Sequence, residues 1–149
     1  VTQQQTILLV EDNDDDAELT RLAFSDAKVQ NPVLRVSDGV EALDYLHCRG
    51  RWSSRDPGDV PAVVLLDLKL PRMGGLEVLS ALRSDARTRH LPVVVLTSSA
   101  EDGDRLAAYE QHVNSYVRKP VDYGEFVTAT RHLGVYWVLL NLPPPARPA

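Results

Sequence analysis

Apolar runs of four or five residues recur along the chain: "TILLV" (Thr6–Val10), "AVVLL" (Ala62–Leu66) and "PVVVL" (Pro92–Leu96), with a shorter "SYV" (Ser115–Val117) and a weaker "PVLRV" (Pro32–Val36). They are β-branched and continuous rather than alternating, the pattern of strands buried on both faces. Between them the period changes to that of a helix. Leu19, Leu22, Ala23 and Ala27 share one helical face, as do Gly75, Val78, Leu79 and Leu82, and then Phe126, Thr130, Leu133 and Trp137. Ser98-x-x-Glu101 reads as a capping box, and Asp122-x-x-Glu125 marks a similar first turn. Asn13 to Asp16 fit a helix start, where negative charge is favoured. Strands alternating with helices predict an α/β domain with a parallel sheet and helices on both faces.

Two stretches leave this rhythm. Cys48 to Asp59 is a long surface connection, and the Pro-rich "LPPPARPA" ending predicts an extended tail. At 149 residues with 44% hydrophobic and 25% charged positions, the chain fits one domain with its own core. A formal charge of -5 gives no footprint for nucleic acid or an anionic membrane. No apolar stretch is long enough to span a bilayer. The single cysteine, Cys48, permits no internal disulfide and fits a reducing cytoplasm. The four histidines are scattered without metal-ligand spacing.

The candidate chemistry lies where the strands end. The first runs into Glu11-Asp12, the third into Asp67, the fourth into Thr97 and the fifth into Lys119. Open α/β sheets bind ligands outside the carboxyl ends of their strands. If the first and third strands are neighbours, Glu11, Asp12 and Asp67 share one crevice. Three close carboxylates repel one another and call for a cation, and oxygen-only donors suit Mg²⁺. Lys119 and Thr97 suit the oxygens of a transferring phosphoryl group, and a carboxylate can be its acceptor. Asp67, ending an apolar run, is the candidate acceptor.

In order and spacing, "ILLVEDNDDD", "VVLLDLKLPRMGGLEVL", "PVVVLTSSAE" and "SYVRKPVD" resemble the signature segments of response-regulator receiver domains. The resemblance implies a flavodoxin-like, doubly wound sheet of five parallel strands in the order 2-1-3-4-5. It makes Asp67 the phosphoacceptor, with Glu11, Asp12, Asp67 and the Lys69 backbone carbonyl around Mg²⁺. Thr97 and Lys119 would bind phosphoryl oxygens, and Tyr116 would be the aromatic that moves in the switch. With the need to turn the chain while aiming Lys119 inward, it also implies a cis Lys119–Pro120 peptide, although only about 5–6% of X–Pro bonds are cis. The Lys69 ammonium, at the mouth of the site, is expected to pair with phosphoryl oxygens and obstruct water.

The long loop, the Asp67 segment and the closing "YWVLLNLPPP" also resemble regulators that partner phytochrome-type histidine kinases. The expected function is therefore that of a stand-alone, non-enzymatic cytoplasmic switch, phosphorylated by such a kinase. Its rivals are a pseudo-receiver that binds without phosphorylation and a haloacid-dehalogenase-type phosphohydrolase. The former would lack part of the Asp12–Asp67–Lys119 set; the latter wants an Asp where Lys69 stands. The division expected is a receiver over 5–133 and an extension over 134–149. In that extension "VYWVLLNL" is apolar at seven of eight positions, too many for one face of a helix to bury. Val135, Tyr136, Trp137, Leu139 and Leu140 are thus expected to form a homodimer interface.

Overall fold

The computed structural model describes residues 5–119 and 122–142. In chain order these form β1 (Ile7–Val10), α1 (Asp14–Asp26), β2 (Val33–Val36), α2 (Gly39–Leu46), a 3₁₀ turn (Gly50–Trp52), β3 (Val63–Leu66) and α3 (Gly75–Ser84). Then come β4 (Val93–Thr97), α4 (Asp102–Glu110), β5 (Ser115–Arg118), α5 (Tyr123–Gly134) and a π-helical continuation (Val135–Leu140). The five strands are parallel in the order β2-β1-β3-β4-β5. Ile7 is in register with both Val33 and Val63, and Val94 with Ser115. Strands β1 and β3 are therefore neighbours, as the candidate crevice requires.

Because side chains alternate across a strand, each central strand feeds two cores. Leu8, Val10, Val64, Leu66, Val93 and Val95 pack with α2, α3 and Ala108 of α4. Ile7, Leu9, Val63, Leu65 and Val94 pack with Ala17 and Phe24 of α1 and with Leu133, Trp137 and Val138. The runs are continuous because both faces are covered. The edge strands β2 and β5 are only partly buried, which is why their runs are the weaker ones.

Two helix expectations are corrected. The buried face of α1 is Ala17, Thr20, Ala23 and Phe24, while Leu22 is 45% exposed. Both stripes obey the helical period, but only one carries an aromatic ring, whose burial is worth more than that of Leu22. Phe24 also fits a notch: a Cβ on Gly134 of α5 would lie 2.6 Å from Phe24 Cδ1. The Ser98–Glu101 capping box does not form. Glu101 is itself the cap residue of α4, with no side-chain cap bond. The serine loop is engaged instead on Thr97, whose Oγ1 accepts from Ser99 N at 3.2 Å. At α5 the expected start holds, with Asp122 Oδ1 accepting from Glu125 N at 3.0 Å.

The connection before β3 is ordered by arginines. Arg55 Nε donates to Tyr45 O at 3.0 Å with its guanidinium 4.3 Å from the Tyr45 ring centre, and Arg51 lies over Trp52 at 4.1 Å. Cation–ring stacking and carbonyl bonds give this loop a fixed path. Pro120, with the expected cis bond, and the tail from residue 143 lie outside the described residues.

Candidate functional site

Every candidate residue leaves the sheet at its carboxyl edge. Glu11 follows β1, Asp67 follows β3, Thr97 is the last residue of β4, and Lys119 follows β5. The loop after Asp67 turns back so tightly that Gly75 is required: a Cβ there would lie 2.2 Å from the Asp67 carbonyl oxygen. Any side chain at 75 would push the acceptor loop out of place.

The result is a compact acid crevice. Glu11, Asp12 and Asp67 each present a carboxylate oxygen within 4.8 Å of the others. Lys119 Nζ reaches Glu11 Oε1 at 2.5 Å, Asp67 Oδ2 at 2.9 Å and Asp16 Oδ2 at 2.9 Å. Asp67 Oδ1 accepts from Thr97 Oγ1 at 3.0 Å and from Lys69 N at 3.2 Å. Glu11, Asp67 and Lys119 are nearly sealed from solvent, whereas Asp12 is exposed at the mouth.

The electrostatics divide the acids. Burial pushes Glu11 up to about 7, against the pull of Lys119. Burial also opposes charge on Asp67, but Lys119 and the Lys69 N–H outweigh it and hold Asp67 below its ordinary range. Lys119, despite its own burial, is raised by hydrogen bonds from its ammonium to Asp16 and Glu11. Asp67 is thus kept ionised while Glu11 stays short of compensation. Three carboxylates share one ammonium, Asp12 adds a further acid beside two of them, and the all-oxygen cluster fits a hard divalent cation.

Asp16 was indistinguishable in sequence from Asp14 and Asp15, all three fitting the first turn of a helix. Only the docking of α1 turns Asp16 onto Lys119. The Asp38–Arg72 pair was also missed. Asp38 caps α2 through Glu41 N and takes Arg72 Nε at 2.9 Å and Nη2 at 3.0 Å, tying two loops at the crevice rim. Its partners lie 34 residues apart, and no local pattern announces them.

The Tyr116 ring packs against the α2–α3–α4 core, and its buried hydroxyl has no hydrogen-bond partner among the described residues. Burial raises its phenol. The Lys69 ammonium lies 3.4 Å from Asp104 Oδ2, and among the described residues it makes no ion pair with Asp67.

In the extension, Trp137 and Val138 pack on the α1–α5 core, while Tyr136 and Leu140 are exposed at 51% and 66%. Val135 is half-buried, and the Leu139 side chain lies outside the description. The expected apolar patch is therefore split between the chain's own core and solvent.

A parallel 2-1-3-4-5 sheet, with an ionised buried Asp clamped by Lys and Thr at its carboxyl edge, defines a protein built to handle phosphoryl groups. The sequence profile of the response regulator receiver domain matches residues 7–131, and the chain belongs to that family. The family is one of phosphoacceptor switches rather than enzymes that turn over a substrate.

Among its relatives, the probable methanogenesis regulatory protein FilR2 of Methanothrix harundinacea (strain 6Ac) is 41% identical over 138 residues, 93% of this chain and 86% of that protein. Response regulator Rcp1 of Synechocystis sp. (strain ATCC 27184 / PCC 6803 / Kazusa) is 31% identical over 134 residues, 90% of this chain and 89% of Rcp1. The crystal structure of its Mn²⁺-bound form, 30% identical, superposes with a TM-score of 0.88 over 95% of this chain and 99% of that one. The bacteriophytochrome response regulator RtBRR is 51% identical with a TM-score of 0.76, over 95% of this chain and 85% of that one. The chain is thus similar to phytochrome response regulators in sequence and in fold.

Proposed function

We propose that this chain is the phosphorylation switch of a light-sensing pathway, with Asp67 accepting a phosphoryl group from a phytochrome-type histidine kinase. One observation carries the reading: both oxygens of a buried carboxylate are clamped, Oδ1 by Thr97 and Lys69 N and Oδ2 by Lys119, and the group is held ionised. An ionised carboxylate is a nucleophile poised at neutral pH. An Asp67 oxygen forms the new P–O bond as the P–N bond to the kinase histidine breaks. That bond's electron pair returns to the imidazole, which takes up a proton. Thr97 and Lys119 then have new phosphoryl oxygens to bind, and the Tyr116 ring would move in response.

Glu11, Asp12 and Asp67 would hold Mg²⁺, with the Lys69 backbone carbonyl as a further donor. Bound there, the ion supplies charge neutralisation for the incoming phosphoryl oxygens. The 51% identity to a bacteriophytochrome response regulator supports the choice of kinase. No described helix is long and apolar enough to cross a membrane. Our reading puts the switch in the cytoplasm, where nucleotide-dependent kinases work.

The test is phosphotransfer. Incubation with an autophosphorylated phytochrome-type kinase and Mg²⁺ is expected to move the label to this chain within minutes, faster than from unrelated histidine kinases. Transfer no faster than from unrelated kinases would refute the pathway; no transfer from any kinase or acetyl phosphate would refute the acceptor.

We also infer that the receiver, 5–133, pairs as a homodimer through the extension, 134–149. The exposed Tyr136 and Leu140 are large apolar groups beside Trp137, and two-fold pairing would cover them. Replacing both with Ser spares the inward Trp137 and Val138 and is expected to yield a folded monomer. Sedimentation of the wild type as a monomer at tens of micromolar would defeat the dimer.

A further inference from the structure

Asp67 and four residues around it close a ring of polar contacts that no single element contains. Thr97 Oγ1 donates to Asp67 Oδ1 at 3.0 Å and accepts from Ser99 N at 3.2 Å. Ser99 Oγ donates to Asp104 Oδ2 at 2.6 Å, and that same oxygen faces Lys69 Nζ at 3.4 Å. Lys69 N returns to Asp67 Oδ1 at 3.2 Å. Lys69 therefore enters the ring twice, its backbone on the acceptor and its ammonium on α4. Resting on the assignment of Asp67 as phosphoacceptor, we propose that Asp104 is a positioning residue that holds the Lys69 ammonium off the acyl phosphate and so shortens the life of the phosphorylated state.

Two anions compete for the Lys69 ammonium. A phosphoryl group brings between one and two negative charges to Asp67, within two residues of Lys69. The lysine stem is flexible and its ammonium a mobile point charge, so one cation has two anionic acceptors. Asp104 is a strong competitor because it is anchored. The Ser99 hydroxyl donates to its Oδ2 at 2.6 Å, and its side chain is only 16% exposed. Arg105 offers no ready substitute, since it pairs with Asp102 at 3.0 Å.

The phosphorylated state ends by hydrolysis. Water oxygen bonds to phosphorus, the P–O bond to Asp67 breaks with its electron pair going to the carboxylate, and inorganic phosphate leaves as H₂PO₄⁻ with both of the water's protons. A Lys69 ammonium on the phosphoryl oxygens obstructs that approach; one held by Asp104 does not. The ion pair is partly exposed, which limits its weight to roughly a two- to fivefold effect on rate.

The experiment follows loss of the acyl phosphate by intact mass, after loading with acetyl phosphate and Mg²⁺ and removing the donor. Asp104→Asn is expected to keep its phosphoryl group about two- to fivefold longer than wild type. Asp104→Glu, which keeps the charge, should stay near wild type. In a Lys69→Ala background, which has no ammonium to hold, Asp104→Asn should change nothing. An Asn variant no longer-lived than wild type, or a lengthening that survives in Lys69→Ala, overturns the proposal. So does a Glu variant as long-lived as Asn, because shape rather than charge would then be at work. A wild type that never loads at Asp67 removes the acceptor assignment, and this inference with it.

Discussion

Asp67→Asn is expected to accept no phosphoryl group, from a kinase or from acetyl phosphate, while remaining folded. The amide nitrogen and oxygen of Asn are not nucleophiles at neutral pH, so the P–O bond cannot form. The shape is conserved, however, and an Asn oxygen can still accept from Thr97 Oγ1 and Lys69 N, as Asp67 Oδ1 does. Lys119 keeps Glu11 and Asp16 as partners. Removing one of several crowded acids also relieves repulsion, so lost fold cannot be the reason for lost uptake. Chelation of divalent ions should stop the wild type as well, because clustered acids then repel the incoming phosphate. A phosphorylated mass in the Asn variant would sink the assignment of Asp67.

The largest effect on stability is expected from Lys119→Met. Lys119, Glu11 and Asp67 are all nearly sealed from solvent, their side chains 7%, 3% and 7% exposed. Removing one partner of a buried ion pair leaves uncompensated charge, at a cost of about 3–5 kcal/mol. Urea unfolding in EDTA should show that loss, and Mg²⁺ should recover part of it by binding the folded state alone. The deficit should shrink on acidification. Even in the wild type, burial lifts Glu11 from its ordinary 4.5 to about 7, so the folded chain binds more protons than the unfolded chain between those values. Through that window Glu11 makes stability rise as pH falls, and without Lys119 the effect grows. A Met variant as stable as wild type in EDTA, flat in pH, would show that the crevice is solvated.

Much of the molecule is set by sequence alone, for a local reason. A strand covered on both faces must be apolar throughout, so "AVVLL" and "PVVVL" declare themselves, and the first polar residue after each must emerge at one edge of a parallel sheet. Glu11, Asp67 and Thr97 follow from that rule, and Asp12 and Lys119 stand one position further along. The stripe Gly75, Val78, Leu79 and Leu82 is likewise the buried face of α3. What tertiary structure decided is every choice between locally equivalent alternatives. Three successive acids suit the first turn of α1, but only Asp16 meets Lys119. Two stripes on α1 satisfy the helical period, and the Gly134 notch against Phe24 matches the buried one. The apolar run after Gly134 cannot state which side chains turn inward; the α1–α5 face takes Trp137 and Val138 and leaves Tyr136 exposed. Asp104 looks like an ordinary first-turn acid until α4 docks beside Lys69, 35 positions earlier in the chain. Periodicity constrains which residues share a face, but a partner on another element is fixed only when the elements pack, because distance in space there owes nothing to distance in sequence.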